Sequence, residues 1–375
     1  MNILAIETSC DDTSIALVEA KGDKLPSFVI RANLVSSQIK IHRPFGGVVP
    51  NLAKREHIKN LPILLKRLAS KYKIQDTRYK IQKHVSQHQV KTLMKNVDMI
   101  AVTVGPGLEP ALWTGINFAK ELAKEYKKSL LGANHLEGHL YSFLLPQKTE
   151  NQKSKIKNQK FGIAFPAIGL IVSGGHTMLL LMTSLTKWKK IGETRDDAVG
   201  EAYDKVARML QLPYPGGPEV ECAAKKGDPN SIQFPRPMLD QKNYDFSFSG
   251  LKTSVLYHLR DITKHEINTP FIISEEQRNN IAASFQMAAI ETLTQKTMRA
   301  IKQFDAKMVL IGGGVTANKS LTNALKKMCK QENVLFIPPA RNVITDNAAT
   351  IAASAYINSL QKKKRRMVAQ SNLTL

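Results

Sequence analysis

The sequence predicts an α/β fold built as two similar lobes, and three observations carry that prediction. Two strand–polar turn–strand units, at about residues 3–19 and 168–182, open the two halves of the chain. Each is followed by helices and further strands, and a lysine-rich run of low complexity stands between the halves. In chain order, ILAIETS and IALVEA read as two strands joined by the turn CDDTS. A turn at Phe45-Gly46-Gly47 leads into an amphipathic helix over 48–68. Residues 71–95 are polar, rich in Lys and Gln, and read as an insertion. DMIAVTVG is a strand; the turn at Gly105-Pro106-Gly107 feeds a helix over 109–126, and 134–145 reads as another helix. The run 147–160 holds five lysines and one glutamate and reads as a flexible linker. In the second half, 167–183 is strand–glycine turn–strand and a helix starts near Asp197. A helix over 276–304 carries Ile281, Phe285, Ala289 and Leu293 on one stripe. Residues 307–328 read as strand–glycine loop–helix, VLFIPP as a strand, 346–360 as an Ala-rich helix, and 361–375 as a frayed basic tail. The expected division is a first lobe over 1–146 completed by the helix at about 345–360, a linker over 147–162, a second lobe over 163–344, and the tail 361–375.

Composition narrows the classes of function. The chain has 375 residues, 43% hydrophobic and 23% charged, a globular profile long enough for two domains. No stretch approaches the roughly 20 unbroken apolar residues of a membrane-spanning helix. MNILAIETSC carries no basic n-region and no cleavage signal, so the expected place of work is the cytoplasm. Three widely spaced cysteines, Cys10, Cys222 and Cys329, argue against a disulfide framework or a cysteine-built zinc site. The net charge of +23 draws such a chain toward polyanions, nucleic acid first, although a lysine-rich composition alone also yields such an excess.

The sharpest local signal is His135-Leu136-Glu137-Gly138-His139. Histidines at i and i+4 share a helix face and are spaced to bind one metal; two histidines packed at a helix surface fit the same pattern. Glu137 stands about 200° round the helix from His135, so it cannot act as the base of a zinc protease, where the glutamate directly follows the first histidine. Asp346, at the start of the last helix, is a candidate third ligand, and equally a candidate N-cap. Two histidines and a carboxylate suit Fe(II) or zinc. Three glycine-bearing turns, Ser173-Gly174-Gly175, Tyr214-Pro215-Gly216-Gly217-Pro218 and Gly312-Gly313-Gly314, could bring backbone N–H groups to a phosphate. Neither a P-loop nor a dinucleotide fingerprint occurs. Glu201 with Lys205 and Asp204 with Arg208 are spaced as surface ion pairs. The segment Phe246–Lys252 offers aromatics and a lysine that either stack on RNA or pack the interior.

Taken together, IETSCDDTS, GGVVPNLAKREH, GPGL, HLEGH, VSGGHT, GETRDDAVGEAYDK, YPGGP, FPRP, FSFSGLKTS, GGGVTAN and TDNAA stand in the order of one family and span nearly the whole chain. The chain thereby resembles the TsaD (Gcp) family of tRNA threonylcarbamoyltransferases, bacterial type, formerly termed O-sialoglycoprotein endopeptidases. The resemblance implies the actin/Hsp70/sugar-kinase fold, two α/β lobes around a nucleotide cleft. It implies transfer of threonylcarbamoyl from threonylcarbamoyl-adenylate to the exocyclic amine of adenosine 37, in tRNAs reading codons that begin with A, with release of AMP. His135, His139 and Asp346 then match metal ligands, for Fe(II) or alternatively zinc. Ile171, Val172, Ser173, Gly174 and Gly175 match the substrate loop; Asp204, Gly217 and Asn318 match residues that hold the adenylate; and Glu221 stands where many relatives have an aspartate near the ribose. No general base is assigned. The implied partners are tRNA, a paralogous TsaB-type subunit and a TsaE-type ATPase, and no membrane. Three departures are visible: the stretches 71–95 and 148–160 are long, and EPALWTG is bulky after GPGL. Two other readings are an ATPase or small-molecule kinase on the same fold, and a non-catalytic scaffold in a tRNA-modifying complex.

Overall fold

The computed structural model describes residues 1–73, 87–146, 162–263 and 271–375. The chain divides into two compact units, Met1–Glu150 with Pro339–Leu375, and Asn151–Pro338. The first contains β1 (Asn2–Glu7), β2 (Asp12–Lys21), β3 (Ser27–Ser37), α1 (Ile39–His42), α2 (Pro50–Lys73), α3 (Gln87–Lys95), β4 (Met99–Gly105), α4 (Glu109–Tyr126), β5 (Ser129–Asn134) and α5 (His135–Tyr141). The second contains β6 (Ala167–Val172), β7 (Thr177–Met182), β8 (Trp188–Glu193), α6 (Val199–Met209), α7 (Gly216–Ala224), α8 (Ser249–Thr263), α9 (Glu275–Phe304), β9 (Met308–Gly312), α10 (Lys319–Gln331) and β10 (Leu335–Ile337). The chain then returns to the first unit with α11 (Ala348–Leu360).

Each unit is built on a five-stranded mixed sheet, ordered β3-β2-β1-β4-β5 in the first and β8-β7-β6-β9-β10 in the second. The pairings also correspond. Two antiparallel hairpins (β1–β2, β2–β3; β6–β7, β7–β8) are followed by two parallel neighbours (β1–β4, β4–β5; β6–β9, β9–β10). The central strands are apolar runs because both their faces are covered: β4 and β6 are buried throughout, and β1 at all but its first residue. α4 lays Leu112, Ile116 and Ala119 into the first core, at helical spacing, beside Leu4, Ile6 and Ile100. Each fully buried Leu or Ile side chain contributes about 1.5–3 kcal/mol before entropy is counted. In the second unit, Ile281, Phe285, Ala289 and Leu293 of α9 meet Phe246, Phe248 and the strands β6 and β9. α11 is buried at nearly every position, and its alanines let it approach β1, β2, β5 and α5 closely. Between α2 and α4 an open groove of about 650 Å³ is lined by Ile58, Trp113 and Phe118, among others.

Two expectations need correction. The stretch 71–95 is not all insertion: α2 runs to Lys73, and α3 buries Val90, Leu93 and Met94, while 74–86 lie outside the described residues. Residues 147–161 of the expected linker also lie outside them. The tail 361–375 is not frayed but packs on the first unit. Met367, Ala369 and Leu373 join its core, Gln370 N donates to Val104 O (2.8 Å), and Gly107 N donates to Ser371 O (3.2 Å). The approach is close enough that a Cβ on Gly105 would stand 2.0 Å from Gln370 O.

Candidate functional site

In the first unit, β5 runs straight into α5, and the junction is held by Asn134, whose Oδ1 accepts from Leu136 N (2.7 Å) and Glu137 N (3.3 Å). This cap starts the helix at His135 and sets His135 and His139 on one face, their ring centroids 4.5 Å apart. Leu136 and Leu140 point into the interior. Gly138 lets α11 pack closely: a Cβ there would meet Thr350 Oγ1 of α11 at 3.2 Å, tighter than an ordinary contact. That approach brings Asp346, just before α11, to the histidines. Its Oδ1 lies 3.5 Å from His135 Nε2 and 3.3 Å from His139 Nε2. One ligand atom from each of the three lies within 4.8 Å of the others, an arrangement that could hold a metal ion. Both ring nitrogens of His139 are buried, and Nε2 has only the Asp346 carboxylate beside it among the described residues, so a cation held between the two would satisfy that nitrogen. Two imidazoles and a carboxylate form a donor set that fits such an ion. Asn347, not Asp346, caps α11, accepting from Ala349 N (3.1 Å) and Thr350 N (3.3 Å).

Behind the triad stands Glu7, the last residue of β1, which the sequence reading did not single out. Its Oε2 lies 3.2 Å from His135 Nδ1 and accepts from Thr103 Oγ1 (2.6 Å), while Oε1 accepts from Ser9 N. Ser9 Oγ is also 3.2 Å from His135 Nδ1. This pattern assigns the proton to Nδ1 and leaves Nε2 facing Asp346. A buried glutamate at the end of a hydrophobic strand was the available signal. Burial resists protonation of His135, but the carboxylates of Asp346 and Glu7 outweigh it and push the imidazole up to about 9. Burial, with His135 alongside, holds His139 below its ordinary value. Asp12 is pushed up to about 7 by burial and by Asp346 and Asp11, and Asp11 is raised by burial and Asp346. Such crowding of acids favours a cation between them. Glu137 turns away from the triad. Ser354 Oγ (3.1 Å) and Asn358 Nδ2 (2.7 Å) donate to its Oε2, and Lys363 Nζ (2.8 Å) and Arg365 Nη2 (2.7 Å) to Oε1. Burial opposes its charge; Arg365 and Lys363 overcome this and hold the carboxyl below the usual range.

In the second unit the other expected residues gather at the C-terminal ends of β6 and β9. Ile171 and Val172 end β6. The turn Ser173–Gly175 is closed by Ser173 N to His176 O (2.8 Å) and His176 N to Ser173 Oγ (3.1 Å). Gly313, at φ +95°, abuts it: a Cβ there would stand 2.3 Å from Val172 O. Gly174, Gly175 and Gly217 face open space instead. Asp204 on α6 accepts from Gly216 N (2.7 Å), fixing the first turn of α7 where Gly217 sits. Glu221 on α7 accepts from Lys319 N (3.1 Å), and Asn318 caps α10 through Leu321 N (2.9 Å) while donating to Gln286 Oε1 (2.8 Å). Glycine turns and helix N-termini thus converge in the manner of an anion site. Of the two spaced ion pairs, Glu201–Lys205 forms (2.8 Å), whereas Asp204 serves Gly216. Phe246 and Phe248 are fully buried and stacked on each other, so they pack the interior. Lys252 pairs with Asp197 (2.8 Å), and all three cysteines are free. No described helix is long and apolar enough to cross a membrane.

Two units of one topology, with mixed sheets and glycine turns at their strand ends, define an α/β protein of the actin/Hsp70/sugar-kinase class. Among solved structures, HypF of T. kodakarensis is similar over 96% of this chain and 48% of its own, with a TM-score of 0.56 at 16% identity. Full-length HypF in a phosphate- and nucleotide-bound form gives 0.54 at 11% identity, over 96% and 55%. At these identities the likeness concerns the fold alone. The profile of one family, TsaD: tRNA N6-adenosine threonylcarbamoyltransferase, matches residues 29–353. A protein of that name from Thermosipho africanus (strain TCF52B) is 41% identical, covering 95% of this chain and 94% of its own. One from Staphylococcus epidermidis (strain RP62A) is 42% identical over 94% and 91%. This chain belongs to the TsaD family of tRNA-modifying transferases.

Proposed function

We propose that this chain transfers the threonylcarbamoyl group of threonylcarbamoyl-adenylate to the exocyclic amine of adenosine 37 in tRNAs reading codons that begin with A. The nitrogen bonds to the carbamoyl carbon, the carbon–oxygen bond to phosphate breaks, AMP departs with the electron pair, and the amine gives up a proton. The observation that carries the reading is the His135–His139–Asp346 triad, with buried His139 turning Nε2 toward Asp346, in a chain of this family. These three residues would hold one divalent ion, Fe(II) in preference to zinc. Such an ion, when bound, supplies Lewis-acid polarisation of an acyl oxygen. Glu7 holds His135 in the tautomer that leaves Nε2 for the ion. On the second unit, Ile171, Val172 and the backbone N–H groups of Ser173–Gly175 would bind the donor, and those N–H groups would face its developing negative charge. Asp204 keeps Gly217 presented, Asn318 holds the adenylate, and Glu221 is within the same cluster for the ribose. Because an aromatic amine is a weak nucleophile, positioning must supply much of the rate. The excess of +23 positions tRNA by its phosphates, and the working complex is cytoplasmic, with a TsaB-type subunit and a TsaE-type ATPase.

The test is a transfer assay with the three proteins, synthetic threonylcarbamoyl-adenylate and unmodified tRNA, read by mass spectrometry with and without chelator. Product that vanishes with chelator and in His139→Ala is expected. Full activity of His139→Ala overturns the role of the metal. Absence of product with metal and partners present overturns the transferase reading, and rapid ATP turnover without tRNA replaces it with an ATPase.

A further inference from the structure

We propose that Glu137 and the segment 361–375 form a latch that sets the orientation of α5, so that cation binding by the triad depends on residues that are not themselves ligands. The inference rests on the metal reading above. A seven-residue helix does not hold its own conformation, because nucleation is costly and two turns recover little of it. α5 must therefore be fixed from outside, and its histidine face is the one face that has to stay clear. Glu137 lies on the opposite side and is 1% exposed. There it gathers four donors: Ser354 and Asn358 from α11, Lys363 and Arg365 from the segment that follows. α11 begins two residues after Asp346, so these bonds tie the histidine helix to the element that carries the third ligand.

The same segment also grips the N-cap of α5. Thr374 O accepts from Asn134 Nδ2 (3.0 Å), and Asn134 is the residue whose Oδ1 caps the helix. Between these two grips the segment is tied to the sheet through Gln370 N to Val104 O and packs Met367 and Leu373 on the core. α5 is thus bracketed at its cap and at its middle by one strap. Releasing either grip frees the helix to rotate and carries His135 and His139 away from Asp346.

The test uses the full chain and Co(II), whose visible bands report ligand geometry. The variants are Lys363→Ala with Arg365→Ala, Arg365→Lys, and Glu137→Gln. The double variant is expected to keep its helix content and cooperative thermal unfolding without metal, yet to bind Co(II) about tenfold or more weakly, with shifted bands. Arg365→Lys, which can still reach Glu137, is expected to retain both affinity and spectrum. If Glu137→Gln does not fold, the double variant carries the test, because Ser354 and Asn358 still donate to Glu137 when Lys363 and the less exposed Arg365 are truncated. Wild-type affinity and bands in the double variant overturn the latch; so does a loss of affinity that only accompanies loss of cooperative unfolding. A wild-type chain that binds no Co(II) overturns the metal reading itself, a result that differs from either.

Discussion

Replacing Glu7 by Gln preserves the shape of a fully buried side chain and removes one charge. The amide oxygen of the substituted side chain can still accept from Ser9 N, but its nitrogen then points N–H groups at Thr103 Oγ1 and His135 Nδ1. A donor facing a donor is untenable in a dry site, so His135 must shift its proton to Nε2, the nitrogen that faces Asp346. An imidazole protonated there cannot ligate. Outer carboxylates of this kind are worth about 10–100-fold in metal affinity, which corresponds to about 1.4–2.7 kcal/mol. The fold also loses charge-assisted hydrogen bonds, each worth about 1.5–3 kcal/mol, so its unfolding midpoint in denaturant should fall. Zinc titration by calorimetry on the metal-free chain, with urea unfolding in parallel, separates the two effects. Zinc affinity equal to wild type, in a folded Glu7→Gln protein, would refute the assignment of the tautomer and the role of Glu7.

Three further outcomes are expected. With His135 pushed up to about 9 by Asp346 and Glu7, the metal-free site is protonated at neutral pH and the ion must displace that proton. Affinity should therefore rise about tenfold per pH unit up to about pH 9 and level off above it, with proton release seen as buffer-dependent binding enthalpy; a flat profile below pH 9 would contradict the charge on His135. Gly313→Ala combines a positive φ with a Cβ 2.3 Å from Val172 O, and should cost at least about 1–3 kcal/mol, read as a lower melting temperature. Gly175→Ala, which meets nothing within 4 Å, should change stability by less than about 0.5 kcal/mol yet weaken AMP binding measured by calorimetry; unaltered AMP binding would remove that turn from the donor site.

The fold class was legible because the two opening hairpins carry nearly continuous apolar runs and the glycine turns stand at strand ends. What escaped was the periphery. β3 and β8 are edge strands, and their exposed or half-exposed positions mix polar residues with apolar ones such as Val29, Ile30, Val35 and Ile191, so the period of two is diluted. β5 was hidden because SLLGAN flows into HLEGH without a turn, leaving only the cap of Asn134 to mark the change. The histidine pair was visible from its spacing, but Asp346 was a candidate only through position and resemblance, since 207 residues separate it from His139. Glu7 and the strap escaped for one reason: a buried charge is recognised by its partners, and apart from Ser9 beside Glu7 those of Glu7 and Glu137 are remote in sequence. A run of lysines and arginines at 362–366 looks solvated until a buried carboxylate is found to meet two of them.

The discontinuity of the first unit orders events during synthesis. Residues 1–150 emerge early with two imidazoles already in the chain, but the acidic ligand and the helix that covers β1, β2 and β5 arrive only after the contiguous second unit has been made. At about 5–20 residues per second, that interval lasts roughly ten to forty seconds. Throughout it the nascent N-terminal sheet lacks α11, remains open on that side, and offers only a partial and weak claim on any passing metal ion. Completion of the site is thereby tied to completion of the polypeptide, so that a chain truncated anywhere before Pro339 carries neither the finished core nor the third ligand.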